Sequence, residues 1–435
     1  MSKESVITAI DVGTDKVVSL IAAYGGEQPG LRLAGVSAVP AEGVRKSVIV
    51  DLESVLHSIE RSLDAAERMA GFSINSAFVS VSGNHIKSRN SKGVVAVADP
   101  DQEITRNDVA RVIEAARAVS VPAEREIIHV VPRYFKVDSQ AGIRDPVGMA
   151  GVRLESEAHI ITGMSTSLRN LEKSINDLGV SVDGFVFSGL AASEVTLTDT
   201  EKELGVAALD IRAGTSSFCV YVDGALEYSG SLPIGARHIT QDIALGCRIS
   251  IDSAEKLKLS LSSKIKKLKP RPGESKREFN LRKKKADKIN PEEIGIEENV
   301  EELSRCTILK GSRMPRMDVI ISMLGEKQKK KELLSEVPAG VVISGGGAET
   351  AGMIEVAKKV LGMPARVGSP QDVAGLIGEV KSPSYATSVG LLLYGRREGG
   401  GQQYGGGVNL SQIFKKFPLD NLGRKIINLF KSLLP

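Results

Sequence analysis

The sequence predicts an α/β protein with two related lobes. The chain opens with a strand that ends in an Asp, a Gly and a Thr, Val6-Ile7-Thr8-Ala9-Ile10-Asp11-Val12-Gly13-Thr14, and residues 16–21 read as the returning strand. The pattern recurs about 200 residues later as Val206-Ala207-Ala208-Leu209-Asp210-Ile211-Arg212-Ala213-Gly214-Thr215, with residues 218–222 returning. A third glycine-rich turn, Ser344-Gly345-Gly346-Gly347-Ala348-Glu349, follows the apolar run 340–343 and precedes a helix expected near Thr350. So long a repeat suits a duplicated domain and not a solenoid.

Length supports the division. At 435 residues the chain exceeds a typical single domain. It is 42% apolar and 25% charged, an ordinary globular balance. Its net charge of +4 gives no argument for nucleic acid as a partner. The three cysteines, Cys219, Cys247 and Cys306, lack metal-site spacing and fit a reducing compartment. The five histidines show no ligand spacing either and read as structural. No window reaches the roughly 18 apolar residues of a membrane-spanning helix, so any membrane contact is expected to be peripheral.

Within this frame, residues 51–70 carry helical spacing through Val55, Leu56, Ile59 and Leu63, and residues 77–81 read as a strand. Residues 84–163 differ in texture and read as an inserted subdomain. It holds a helix capped by Thr105 and Asp108, then strands at 127–138 and 157–163. The Lys- and Arg-rich stretch 264–288 reads as a solvated, mobile loop. The glycine-rich stretch 395–408 reads as a flexible linker.

The turns suggest chemistry. A glycine turn exposes consecutive backbone N–H groups to phosphate oxygens with no side chain in the way. An Asp at a strand end can hold a divalent cation through water. One such turn is equally an ordinary hairpin, but two facing turns and a third glycine turn suit a polyphosphate clamp. The third turn alone is also consistent with a tight strand-to-helix connection; its match to a dinucleotide-binding glycine pattern is loose. Glu255 and Lys258, three apart on a helix face, are by spacing alone more simply a surface ion pair than a ribose contact.

Taken together, the three turns, their order and the insertion resemble the FtsA family, bacterial cell-division homologues of actin. Further stretches agree: Ser80-Val81-Ser82-Gly83, 189–198, 201–205, 231–236 and 385–392. The resemblance covers nearly the whole chain. It implies an actin-like two-lobed ATPase fold binding ATP and Mg²⁺ between lobes. The first lobe is then 1–83 with 164–200; the second is 201–232 with 341–394; 233–340 is its outer subdomain. Carried over by position, Asp11, Gly13, Thr14 and Lys16 belong to the first phosphate turn, and Asp210, Gly214 and Thr215 to the second. Asp11 and Asp210 would hold the metal through water. Gly345, Gly346, Gly347 and Glu349 would line the adenosine, and Glu255 and Lys258 would contact the nucleotide. Glu194 is the candidate for positioning an attacking water.

The same resemblance implies a cell-division protein that anchors the tubulin-like FtsZ to the cytoplasmic face of the membrane at the division site. It would form a homo-polymer, with other division proteins meeting 84–163. The C-terminus agrees on its own pattern. Over 409–435 the residues Leu419, Leu422, Ile426, Leu429, Phe430, Leu433 and Leu434 form a helical stripe. Arg424, Lys425 and Lys431 add charge, with Phe414 and Phe417 upstream. Such a helix lies in the interface of anionic membrane lipids. Docking on the protein's own core would not need so long a tether. Pro418 breaks the segment into two pieces.

The second turn departs from the family's usual Asp-x-Gly-Gly-Gly-Thr-x-Asp. Arg212 and Ala213 replace glycines, and Ser217 stands where an acid is common. A Cβ at these places would close positive-φ conformations, while Arg212 offers a charge to a phosphate. The expectation is altered or weaker nucleotide binding and slow or absent hydrolysis. A pilus-assembly adaptor resembling PilM and an active phosphotransferase such as a sugar kinase remain alternatives on the same fold.

Overall fold

A computed structural model describes residues 5–25, 30–98, 103–261, 271–296, 298, 303–304, 308, 314–329, 333–371 and 378–399. The expected membrane helix over 409–435, and the linker beyond residue 399, lie outside these. The strands in chain order are β1 Ser5–Val12, β2 Lys16–Tyr24, β3 Leu31–Pro40, β4 Val44–Arg45, β5 Val48–Ile49 and β6 Ser76–Val81. Then come β7 Lys87–Ala96, β8 Arg125–Val137, β9 Gln140–Ile143, β10 Arg153–Met164, β11 Ser181–Phe187 and β12 Val206–Ile211. The last are β13 Ser216–Val222, β14 Ala225–Leu232, β15 Lys288–Ile289, β16 Leu303–Ser304, β17 Val341–Ser344 and β18 Ala365–Val367.

Two five-stranded sheets share one wiring. The first runs β11-β6-β1-β2-β3 and the second β18-β17-β12-β13-β14. In each, the opening strand (β1 or β12) pairs antiparallel with the strand after it and parallel with a later one (β6 or β17). The duplication visible in the sequence is therefore a duplication of topology. Opening strands sit mid-sheet and are buried on both faces, which explains their continuous apolar runs.

Helices cover the sheets where their apolar periodicity demands. Helix Leu52–Ala70 is capped by Asp51, whose carboxylate accepts from the N–H groups of Glu53 and Ser54. It ends at Gly71, whose φ of 81° is the left-handed stop favoured by glycine. Val55, Ile59, Leu63 and Ala66 are its buried stripe. In the second lobe Leu209, Phe218, Ile239, Ile320, Ile321 and Ile343 belong to one apolar core.

A second compact unit is built mainly from residues 90–120 and 132–158. Its helix Arg106–Arg117 has the capping box expected from Thr105 and Asp108, and it buries Val109, Val112, Ile113 and Ala116. Gly93 is glycine because a Cβ there would stand 2.2 Å from the Val112 carbonyl oxygen of this helix.

Two sequence expectations need correction. Within the stretch read as a loop, 264–288, residues Lys276–Asp287 form a helix. Ser275 and Glu278 make a capping box at its start, and Glu274 takes the Arg282 guanidinium at 2.7 Å. Local caps and an ion pair thus outweigh the low apolar content that suggested a loop. Residues 395–399, read as the start of the linker, belong to helix Ala386–Gly399, which continues through Arg396 and Arg397. Basic residues in a last turn favour a helix terminus.

Candidate functional site

The turns after β1 and β12 meet. Val12 pairs with Val17, and Ile211 with Ser216, so each hairpin has a loop of four residues. The loops are Gly13-Thr14-Asp15-Lys16 and Arg212-Ala213-Gly214-Thr215. Each closes the same way: Gly13 N–H donates to Lys16 O at 3.0 Å, and Arg212 N–H to Thr215 O at 2.9 Å. By this closure Gly13 corresponds to Arg212, and the two Gly-Thr pairs are not equivalent. Neither Arg212 nor Ala213 has a positive φ. The expected strain from their Cβ atoms is therefore absent: this loop never uses the conformations that only glycine allows.

Gly214 is required by proximity instead, since a Cβ there would lie 2.4 Å from Thr14 Oγ1 of the other turn. The hairpin β4–β5 joins them. Its two loop residues, Lys46 and Ser47, have φ values of 51° and 59°, the left-handed pair that closes a tight hairpin. Ser47 N–H donates to Thr14 Oγ1 at 3.0 Å, and its hydroxyl pairs with Thr215 Oγ1 at 3.0 Å.

The aspartates are held symmetrically. Ser80, at the end of β6, donates to Asp11 Oδ1 at 2.5 Å, and Ser344, at the end of β17, donates to Asp210 Oδ1 at 3.3 Å. Neighbouring residues of helix Ala386–Gly399 complete the pair. Ser388 donates to Asp11 Oδ2 at 3.4 Å and Thr387 to Asp210 Oδ2 at 3.0 Å. Burial pushes the Asp210 carboxyl up to about 6, although the Arg212 charge opposes it.

Arg212 reaches across the lobes. Its Nη2 lies 2.5 Å from Asp11 Oδ1. Burial works against its charge, but Asp11 and Asp210 outweigh burial and hold the guanidinium above its ordinary range. Lys16 stands nearby, 4.0 Å from the centre of the Tyr385 ring; burial first, and then Arg212, lower its affinity for a proton while Asp11 raises it. The water-mediated Mg²⁺ expected between Asp11 and Asp210 does not fit here. Asp11 already carries a cation, and both carboxylates accept hydroxyl hydrogen bonds.

The third turn packs under the second. Gly345 has φ 77°, and a Cβ there would stand 2.4 Å from Ile211 O and 2.7 Å from Asp210 Oδ1. Gly347 is equally close to Ile211, whereas Gly346 has only Ser384 Cβ, at 3.9 Å, near it. Glu349 accepts from Ser382 Oγ at 2.7 Å. Glu255, Lys258 and Thr240 form a triangle: Lys258 Nζ donates to Glu255 Oε2 at 2.7 Å and to Thr240 Oγ1 at 3.0 Å, and Thr240 Oγ1 donates to Glu255 Oε2 at 2.6 Å. Lys258 is buried, so it is more than a surface ion pair. Glu194 pairs with Lys202 at 3.7 Å.

Sequence reasoning missed the hydroxyls. Ser82 lies 3.0 Å from Ser217 and 3.3 Å from Thr215, and Ser217 lies 3.0 Å from Ser188. Ser47, Thr387 and Ser388 were missed as well. Single serines in a sequence carry no spacing signal.

Comparison with known proteins agrees with this architecture. Residues 83–162 match the description "SHS2 domain inserted in FTSA", and residues 207–390 match "Cell division protein FtsA". The chain is 36% identical to cell division protein FtsA of Pseudomonas aeruginosa over 89% of both chains. With the FtsA of Borreliella burgdorferi it shares 35% over 90% of this chain and 91% of the other. In fold it is similar to the PilM-PilN type IV pilus biogenesis complex, with TM-score 0.60, 13% identity, 89% of this chain and 98% of that one. It is also similar to MreB5 of Spiroplasma citri bound to ADP, with TM-score 0.50, 13% identity, 90% of this chain and 96% of that one. At 13% identity these two speak to fold alone, whereas the identities above 30% run nearly end to end. The fold is the actin-like ATPase fold, and the chain belongs to the FtsA family of cell-division proteins.

Proposed function

We propose that this chain anchors FtsZ filaments to the cytoplasmic face of the membrane at the division site, assembling with itself in a nucleotide-dependent way. What carries the reading is the gathering of three glycine turns at one cleft in a chain of this family. A nucleotide there would touch the turns at Gly13–Lys16 and Gly214–Thr215, with Gly346 the open approach to the third turn. Its role is that of an assembly ligand favouring one lobe arrangement. Hydrolysis is slow or absent, because Ser217 supplies no carboxylate at the second turn and Glu194 is engaged by Lys202. The membrane contact is assigned to 409–435 on its amphipathic, basic pattern. Residues 84–163 are the surface proposed for other division proteins. Among the described residues no helix is long and apolar enough to cross a membrane.

Co-sedimentation tests the reading. The full chain is expected to bring FtsZ down with vesicles containing anionic lipid. Deleting 409–435 should abolish vesicle binding but leave FtsZ binding in solution. Vesicle binding that survives the deletion would remove the anchor.

A further inference from the structure

Where the family pattern implies a divalent cation, this chain holds a side chain. We propose that Arg212 is the resident cation of the cleft, so that nucleotide phosphates bind here without a divalent metal ion. This rests on the reading of the cleft as a nucleotide site.

The geometry supports it in three independent ways. The first is charge. The guanidinium lies on Asp11 Oδ1, the carboxylate that would share a hydrated metal with Asp210. It also acts electrostatically on Asp210 and Lys16. A second, divalent charge at that place would meet a like charge already bound.

The second is anchoring. The Arg212 backbone is tied on both sides, its N–H to Thr215 O at 2.9 Å and its carbonyl to Ala236 N–H at 2.8 Å. The first turn leaves space for the side chain: a Cβ at Gly13 would come 2.8 Å from Lys16 O and 3.0 Å from Arg212 Nη2. A guanidinium held at both ends in this way is preorganised.

The third is an unmet demand. Arg212 Nη1 is buried and has no hydrogen-bond partner among the described residues. A buried charged donor without an acceptor is costly, and an anionic oxygen relieves it. Phosphate oxygens suit a guanidinium particularly well, because it offers parallel N–H donors. In this scheme Nη2 stays on Asp11 while Nη1 takes a phosphate oxygen, and Lys16 adds a second positive charge.

The test is calorimetric titration of ATP into the full chain, once with Mg²⁺ and once with EDTA. The wild-type dissociation constants are expected to agree within about threefold, less than one decade of affinity. Arg212→Gly frees Asp11 and should bind at least about tenfold more tightly with Mg²⁺ than with EDTA. Arg212→Gln, which keeps bulk but not charge, should weaken binding in EDTA by about tenfold or more. Wild-type binding that disappears in EDTA overturns the inference and leaves the nucleotide reading standing. Absence of binding in both buffers overturns that reading, and the inference with it. Should Arg212→Gly not fold, the wild-type pair and Arg212→Gln decide the matter.

Discussion

The two halves of the site are built to one plan and charged to different ones. In both, a central strand ends in Asp, a serine from the parallel neighbour holds that Asp, and helix Ala386–Gly399 adds a further hydroxyl. In both, four loop residues close with the same backbone hydrogen bond. Yet the cation of the first loop is its last residue, Lys16, and that of the second is its first, Arg212. The scaffold of the duplication was kept while the charge changed corners. Arg212 can occupy its place because nothing in its loop demands a positive φ. What a glycine motif protects at this site is space for a neighbour, as Gly214 makes room for Thr14.

The sharpest way to break the comparison is at the glycines beyond β6 and β17. Gly345→Ala adds a Cβ 2.4 Å from a carbonyl oxygen at φ 77°, and is expected to cost about 3 kcal/mol or more. Gly83→Ala has φ 120° but no atom nearer than 3.2 Å, so about 1–2 kcal/mol is expected. Urea midpoints measure both. Equal losses would mean that the two sites are alike after all.

Next in size is a pH effect in the second half. Asp210 has its folded value raised to about 6 against an ordinary 3.8. The folded state therefore holds the proton more tightly than the unfolded chain. The contribution is fully present below the ordinary value and is lost as pH rises through about 6. Asp210→Asn should accordingly gain stability relative to wild type between pH 4 and 7, read as a growing difference in Tm. A difference that stays flat over that range would remove the assignment.

The smallest expected effect calibrates the others from outside the cleft. Arg366 grips Glu201 through two bonds of 2.7 Å, and with them lowers its carboxyl to about 2. Its contribution is present above the ordinary 4.5 and fades as pH falls toward 2. Both groups meet solvent, so Glu201→Gln should cost only about 1 kcal/mol at neutral pH and nothing near pH 2. A thermal melt series checks it.

Much of this architecture was legible because period and punctuation carry it. The run before Asp11, the helix Leu52–Ala70 and the Thr105–Asp108 box follow from local pattern. Spacing gave Glu255 and Lys258 only as a pair on one face; their union with Thr240 comes from packing between helices Arg237–Cys247 and Ile251–Ser260. The helix Lys276–Asp287 is hidden by a basic composition with few apolar residues, and its local signal is the Ser275 and Glu278 cap. The contacts of Ser47 and Ser82 with Thr215 join residues more than 130 apart in sequence, and no local rule reaches that far.

The hydroxyls between the lobes have a mechanical consequence. Ser47, Ser82, Ser188, Thr215, Ser217 and Ser231 form a seam without a carboxylate or an ammonium. Each of these groups can give or take a hydrogen bond by turning about one bond. A small slide of one lobe against the other then exchanges partners along the seam, while Arg212 on Asp11 remains a charged contact across the lobes. Such a slide is then resisted at the Arg212–Asp11 pin and not along the hydroxyls.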